Sequence, residues 1–221
     1  MGLVINIKDL SFSYNGEKNI LDSLTLSIKE GVVYSLLGIN GAGKTTLLKC
    51  LNGDLPSNID VISFSDQMLY IHDEMQFYNY LTGDEFVKLI LNFKNIELDE
   101  ERYSKLLSQL LMKEKIQETV SSYSFGMKHK LILIIAFLLK YKYILMDEPF
   151  TSLDVLAADT MIKVVKEYVK ENNTVIISTH MIDIAQEISD KILFLNNGKI
   201  KEYDNNFTSS KEIKEMLLTN Y

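Results

Sequence analysis

Cysteine, proline and arginine are scarce in this chain of 221 residues, and each scarcity narrows what the protein can be. Cys50 is the only cysteine, so an internal disulfide is excluded, and a small packing residue in a reducing compartment is expected. Pro56 and Pro149 are the only prolines and no internal repeat is present, so no linker divides the chain. Arg102 is the only arginine, which limits an internal arginine finger to one position. We expect a single domain over 1–221.

A basic surface and a long apolar run are also missing. The net charge of −7 and the isoelectric point near 5.1 argue against nucleic-acid binding, so no nucleic-acid partner is expected. The longest unbroken apolar run, 131–139, is far shorter than the roughly 20 residues that span a bilayer. The first residues lack a secretory signal pattern. We expect a cytoplasmic protein that reaches a membrane only through a partner.

The sequence pattern predicts strands that alternate with helices, which is typical of an α/β fold with a mostly parallel sheet. A block of charged helical sequence at about 82–125 interrupts the alternation, and we expect it to form an inserted helical subdomain. A Ser-x-x-Glu capping box at 209–212 predicts a last helix that ends near 218. The predicted strands cover 3–7, 24–28, 32–37, 60–64, 68–71, 143–146, 174–178 and 192–195, and the predicted helices cover 82–93, 98–112, 126–139, 156–169 and a short segment from 181.

A P-loop follows the predicted strand at 32–37. The segment matches Gly-x-x-x-x-Gly-Lys-[Ser/Thr], and its candidate nucleotide-binding residues are Asn40, Gly41, Ala42, Gly43, Lys44, Thr45 and Thr46. The glycines allow backbone N–H groups to point at phosphates, Lys44 brings a positive charge to the β- and γ-phosphates, and the Thr45 hydroxyl can ligate Mg²⁺. The start of the next helix completes an anion site. The sequence therefore predicts binding of a nucleoside triphosphate.

Two acidic residues end the apolar strand at 143–146. In open α/β sheets, ligands bind beyond the carboxyl ends of the strands, which would bring Asp147 and Glu148 close to the phosphates held by Lys44. This is the Walker B arrangement, in which Asp147 would hold Mg²⁺ through a water and Glu148 would orient the water that attacks the γ-phosphate. The alternative is an acidic turn after a strand, which the P-loop makes the weaker interpretation.

Together with these two motifs, the order of the remaining candidates resembles that of the ATP-binding domains of ABC transporters over essentially all 221 residues. An aromatic residue lies before the P-loop strand, a Ser-Phe-Gly segment lies before the Walker B strand, and an acid and a histidine follow it: Tyr14, Ser124, Gly126, Asp154 and His180. The resemblance implies a P-loop NTPase (RecA-like) core, a small antiparallel β subdomain and the inserted helical subdomain.

The resemblance also implies a role for each of these residues. Tyr14 matches the aromatic that stacks on adenine, and His180 matches the switch histidine that contacts the γ-phosphate. Ser124 and Gly126 match the signature residues that contact the ATP of the opposite subunit, and Asp154 matches the acid of the D-loop. Taken singly, Tyr14 is one of 12 tyrosines and His180 would be a solvated loop histidine, so the order of the motifs carries these assignments.

Three departures from the family pattern are visible. Phe125 replaces the first glycine of the signature and Met127 replaces its glutamine. A phenyl ring at this position is expected to point away from the phosphates of the opposite subunit. The Q-loop glutamine falls on Asp73, which could approach Mg²⁺ or the attacking water; the competing residues for this position are Glu74, Gln67 and Gln76. The short stretch between P-loop and Q-loop predicts a reduced β subdomain.

The function implied by the resemblance is that of a cytoplasmic ATPase subunit. It would bind Mg²⁺ and ATP, form a homodimer or heterodimer with two ATP molecules between P-loop and signature, and drive a separate integral membrane permease from the inner face of the membrane. The altered signature and the compact length resemble exporter or immunity subunits that move peptides, lantibiotics or lipophilic compounds.

Three other classes would also contain a P-loop. A chromosome or DNA-repair ATPase would carry long heptad repeats between Lys44 and Ser124, and none is present. A P-loop kinase would need a substrate lid, typically rich in arginine. A translation-factor relative would normally carry two ATPase domains, for which this chain is too short.

Overall fold

The computed structural model describes residues 4–57, 65–72, 75–151 and 153–219. Within these ranges the strands are β1 (Val4–Phe12), β2 (Leu21–Lys29), β3 (Val33–Leu37), β4 (Met68–Ile71), β5 (Tyr143–Asp147), β6 (Thr174–Ser178), β7 (Lys191–Asn196) and β8 (Lys199–Asp204). The helices are α1 (Lys44–Asn52), α2 (Gly83–Phe93), α3 (Glu100–Gln109), α4 (Phe125–Leu138), α5 (Val155–Lys170), α6 (Ile182–Ile188) and α7 (Ser210–Thr219).

The main sheet has six strands in the order β4-β5-β6-β3-β7-β8. The first five of these are parallel, and β8 runs antiparallel to β7 at the edge. The strands β1 and β2 form a separate two-stranded antiparallel sheet. The expected α/β class with a mostly parallel sheet and a small antiparallel part is confirmed. The parallel pairing places the carboxyl ends of β3, β4, β5 and β6 at the same end of the sheet.

Hydrophobic cores cover both faces of the main sheet, because successive side chains of a strand point to opposite sides. In β5, Ile144 and Met146 join the core that contains α4 and α5, whereas Tyr143 and Leu145 join the core that contains α1 and the β1–β2 sheet. All four side chains are buried. The parallel strands are thus covered on both faces, which is why they have continuous apolar sequences.

The helices between β4 and β5 begin at polar caps. Thr82 and Glu85 form a reciprocal capping box at the start of α2, and the Asp99 side chain accepts a hydrogen bond from a backbone N–H at the start of α3. Both helices pack against α4. Polar pairs join α3 to α5: Arg102 makes a bidentate contact with Glu171, and a Lys105–Glu167 ion pair lies nearby.

Some elements differ from the sequence-based expectation. The strand predicted at 3–7 continues to Phe12 through irregular pairing near Asp9, whose φ is 52°. The strand β8 was not predicted because Ile200 and Tyr203 are its only apolar residues and do not alternate, as suits an exposed edge. The strand predicted at 60–64 lies outside the described residues. The last helix forms as expected, but Glu212 accepts its hydrogen bonds from the backbone and hydroxyl of Thr208.

Candidate functional site

The P-loop connects β3 to α1 with a backbone that requires glycine. Gly41 and Gly43 have φ angles of 80° and 102°, in the region that side chains rarely adopt. Gly43 is the residue that precedes α1, and it has no side chain to cap the helix. The first N–H groups of α1 therefore point into the space beside the loop, together with the positive end of the helix dipole. This local geometry is that of an anion site.

A cavity of about 400 Å³ opens beside the P-loop. Its volume lies in the range of ordinary small-molecule sites. The residues that line it come from the P-loop, the start of α1, the end of β5 and the segment before β2: Tyr14, Ile20, Asn40, Gly41, Gly43, Lys44, Thr45, Thr46, Asp147 and Glu148. The fold thus brings together the aromatic, the P-loop and both acids that the sequence indicated, although 102 positions separate Thr45 from Asp147.

The Asp147 carboxylate is held by three hydroxyl groups. Thr45 donates to Oδ2 at 2.7 Å, Tyr70 donates to the same oxygen at 3.1 Å, and Ser178 donates to Oδ1. A carboxylate and a threonine hydroxyl are oxygen ligands of the kind that Mg²⁺ takes together with phosphates and water. Among the described residues no cluster of three or more acidic, histidine or cysteine side chains could bind a metal by itself. The residues therefore fit a Mg²⁺ ion that a nucleotide shares.

Glu148 lies between the P-loop and the loop after β6. Its Oε1 is 3.7 Å from Lys44 Nζ, and its Oε2 is 2.9 Å from His180 Nδ1. The Glu148 backbone has a φ of 49°, and its N–H donates to the Ser178 hydroxyl at 3.0 Å. A left-handed backbone at a non-glycine residue costs about 1–3 kcal/mol and is typical of functional sites. The bend directs the Glu148 side chain toward Lys44 and His180, while Asp147 faces Thr45.

Lys44 is buried, and its ammonium group donates to the carbonyl oxygen of Gly38 at 2.9 Å. At Gly38 the loop packs tightly against β7, because a Cβ on this residue would lie 2.6 Å from the Leu195 carbonyl oxygen. Thr46 is also buried, and its hydroxyl lies 3.2 Å from the Tyr14 hydroxyl. The P-loop is therefore fixed by β7 on one side and approached by Tyr14 on the other.

Tyr14 is 63% exposed at the mouth of the cavity. Its ring packs edge-on against Phe12, with centroids 4.9 Å apart. An exposed aromatic ring beside a phosphate site offers a face on which a base can stack. Adenine stacking on Tyr14 stays a prediction.

Ser124, Gly126 and Asp154 lie on helix starts away from the cavity lining. The Ser124 hydroxyl accepts from Met127 N–H at the start of α4, and Asp154 accepts from Ala157 N–H at the start of α5. Phe125, the first residue of α4, is 36% exposed and packs against His129 with centroids 4.3 Å apart. Within one chain, Ser124 and Asp154 therefore cap helices, and Phe125 is part of the exposed surface.

Three further expectations concern Asp73, Arg102 and Cys50. Asp73, predicted as a Mg²⁺ or water contact, lies outside the described residues, as does its competitor Glu74. Arg102 does not line the cavity, since its guanidinium pairs with Glu171 between α3 and α5. Cys50 is buried in α1, and burial raises the pKa of its thiol to about 11, as suits a packing residue.

The sequence analysis missed Tyr70 and Ser178. Both stand near the carboxyl ends of strands, where functional side chains of a parallel sheet collect. Ser178 pairs directly with Asp147 in the register of β5 and β6. The rule used for Asp147 points to the carboxyl ends of these strands, but only the order β4-β5-β6 shows that both side chains reach Asp147.

Comparison with known proteins agrees with this geometry. The family model described as ABC transporter matches residues 21–151. The lantibiotic transport ATP-binding protein SrtF of Streptococcus pyogenes is 28% identical over 213 residues, covering 91% of this chain and 92% of the relative. The phosphonates import ATP-binding protein PhnC of Fusobacterium nucleatum is 29% identical, covering 92% and 93%. A solved ATP-binding subunit of an ABC transporter has a TM-score of 0.82 and 26% identity, covering 98% and 99%.

A P-loop beside two acids at the carboxyl ends of parallel strands is the arrangement of a protein that binds a nucleoside triphosphate. With the family match over more than half of its length, this chain belongs to the ABC transporter family, as a nucleotide-binding ATPase subunit. Subunits of this kind act as dimers with membrane permeases. In the part of the chain that the structure describes, no helix has the length and apolar character needed to cross a membrane.

We expect Gly43→Ala to weaken ATP binding by at least about tenfold, or roughly 1.4 kcal/mol. The alanine would have to adopt the left-handed backbone of Gly43, which side chains disfavour. Its methyl group would also lie 2.9 Å from the Ile20 side chain, so the loop must shift. Calorimetric titration with ATP measures the loss. Gly31→Ala is the matched control, because its φ is 71° and its Cβ would also meet a side chain, but it lies at the opposite end of β3. Equal ATP affinities in the two variants would contradict the phosphate-binding role of the loop.

Proposed function

We propose that the cavity beside the P-loop hydrolyses ATP with Glu148 as the general base. The supporting observation is that Glu148 contacts Lys44 on one side and His180 on the other, at the mouth of the cavity. A carboxylate in this position can accept the proton of a water that attacks the γ-phosphate, while His180 contacts that phosphate. Lys44 exchanges its bond to the loop carbonyl for the β- and γ-phosphates. Tyr14 stacks on the adenine.

Thr45 and Asp147 are the residues we propose for Mg²⁺. The Thr45 hydroxyl donates its proton to Asp147, so its oxygen keeps lone pairs for the metal. Asp147 would hold the ion through a water. When bound, Mg²⁺ neutralises charge on the β- and γ-phosphate oxygens. Asp73 remains a sequence-based proposal for a further contact to the metal or the water.

We also propose that two copies, or this chain and a related one, complete each other's sites. Ser124, Gly126 and Asp154 lie away from the cavity of their own chain, as expected if they serve the cavity of a partner. Beside Asp154, the apolar side chains of Val155 and Leu156 are exposed, which is typical of an interaction surface. On this view the segment 82–125 is the helical subdomain of a single ATP-binding domain over 1–221, and it carries the signature toward the partner.

The permease and the direction of transport complete the proposal. This chain would act at the cytoplasmic face of a membrane through a separate permease, in keeping with the general arrangement of the family. We propose export, on the resemblance of the altered signature to that of exporter subunits. SrtF is named for lantibiotic transport and PhnC for phosphonate import, and the two are about equally similar to this chain, so a transport measurement decides the direction.

Export predicts that inside-out membrane vesicles containing the permease and this chain accumulate a peptide cargo when ATP is added outside. The ATPase then faces the added nucleotide, and cargo moves into the lumen. A Glu148→Gln chain in the same vesicles is the control and should give no accumulation. Accumulation only in right-side-out vesicles loaded with ATP would instead establish import.

Glu148→Gln should leave ATP affinity within about twofold and lower turnover by about a hundredfold or more, because the amide fills the same volume but cannot accept a proton. Gel filtration with Mg²⁺ and ATP should then show a persistent dimer. Glu187→Gln, at an exposed position on α6, is the matched control and should behave as the unaltered protein. Wild-type turnover in Glu148→Gln would remove this residue from the mechanism.

Phe125 should limit the activity of the isolated chain. A phenyl ring on the first turn of α4 keeps the backbone at the Ser124–Gly126 signature from approaching a partner's phosphates, so Phe125→Gly should raise ATPase activity several-fold without a permease. Phe125→Ala separates the effect of the ring from that of the backbone.

Ser124→Arg should suppress turnover with little loss of ATP binding by the single chain. Turnover per chain that is already high and independent of protein concentration would contradict the shared site.

A further inference from the structure

We propose that Tyr70 is a positioning residue that holds the Asp147 carboxylate in the orientation needed for Mg²⁺. The inference rests on the proposed function, because it concerns the same metal site. Tyr70 lies on β4, a strand that contributes no residue to the P-loop or to the acidic pair. Its hydroxyl donates to Asp147 Oδ2 at 3.1 Å. No sequence motif of the site includes this tyrosine.

The fold determines how Tyr70 reaches the acid. The strands β4 and β5 are parallel neighbours, and Tyr70 stands opposite Leu145 in their register. Asp147 is two residues further toward the carboxyl end of β5, on the same face as Leu145. A tyrosine side chain is long enough to extend from one position to the other, which a serine or threonine at residue 70 could not do. The contact therefore depends on both the register and the residue type.

The Tyr70 ring is itself fixed. It is only 6% exposed, and it stacks on His72 with centroids 4.8 Å apart and an angle of 29° between the planes. A functional group is held accurately when packing locks the side chain that supports it. The Tyr70 hydroxyl is therefore a fixed donor, and the Asp147 carboxylate is restrained from the β4 side.

The third hydroxyl group at Asp147 restrains the rotation of the carboxylate. A carboxylate has about four acceptor positions. Thr45 and Tyr70 occupy positions on Oδ2, and Ser178 occupies one on Oδ1, which leaves Oδ1 able to accept from a metal-bound water. Without Tyr70, the carboxylate would be held by one hydroxyl on each oxygen and could rotate more freely. A metal ligand that must first be oriented binds more weakly.

The chain offers a matched control in Tyr143. This tyrosine is in the same sheet and only 2% exposed, but it stands at the amino end of β5. Its hydroxyl has no hydrogen-bond partner among the described residues. Tyr143→Phe and Tyr70→Phe therefore remove the same atom from equally buried rings, and only Tyr70→Phe removes a contact to Asp147.

The experiment measures ATP affinity by calorimetry in EDTA and again in Mg²⁺, for the unaltered chain and both variants. We expect Tyr70→Phe to keep its affinity in EDTA within about twofold and to lose about fivefold of the gain that Mg²⁺ provides, as for one hydrogen bond. The Mg²⁺ concentration for half-maximal ATPase activity should rise by a similar factor, and excess Mg²⁺ should restore the rate. Tyr143→Phe should match the unaltered chain in all three measurements.

The outcomes separate this inference from the proposed function. If Mg²⁺ gives the unaltered chain no gain in ATP affinity, the proposed metal site itself is wrong. If the unaltered chain gains and Tyr70→Phe gains equally, only the role of Tyr70 is wrong. A fall of both affinities together with a lower melting temperature would show that Tyr70 acts through packing alone, and would also overturn the inference.

Discussion

The backbone hydrogen bonds between β5 and β6 align Asp147 with Ser178, and the remainder of the site depends on this alignment. The Ser178 hydroxyl donates to the Asp147 carboxylate and accepts from the Glu148 N–H, so one side chain orients both acids. The next residues after β6 lead to His180, which meets Glu148 from the same side. A slip of one residue in this register would turn every side chain of the strand to the opposite face. The packing of β5 opposes such a slip, because Ile144 and Met146 would then have to fit the core now filled by Tyr143 and Leu145, and the reverse.

Much of this architecture could be predicted from the sequence. The P-loop and the acids at the end of β5 depend on local pattern, and the parallel sheet follows from strands that alternate with helices. The contact between Tyr70 and Asp147 could not be predicted, because it depends on which strands are neighbours. Sequence periodicity gives the strands but not their order. The edge strand β8 was missed for a related reason, since an exposed strand has little apolar pattern to detect.

The hydrogen-bond and ion-pair partners within the site also could not be predicted from the sequence. Motifs name Lys44, Glu148 and His180 but do not say that Glu148 bridges the other two. The left-handed backbone at Glu148 produces this arrangement, and no residue type at the position signals it. By contrast, the separation of Ser124 from the cavity was implied by the resemblance, which assigns that residue to the ATP of the opposite subunit. The structure thus adds most for side chains that a motif identifies but whose direction and contacts the motif does not give.

The two cores on the faces of β5 have a consequence for how the protein can move. Ile144 and Met146 are packed into one core and Leu145 into the other, so any displacement of the strand would disturb close packing on both sides at once. The Asp147 carboxylate at the end of β5 is therefore held in place by the close packing on both faces of the strand. Motion coupled to the hydrolytic cycle must be borne by parts that such packing does not restrain from both sides. The start of α4 at Ser124 and Phe125 is such a part, since it is exposed, whereas the same helix is buried in the core from His129 onward.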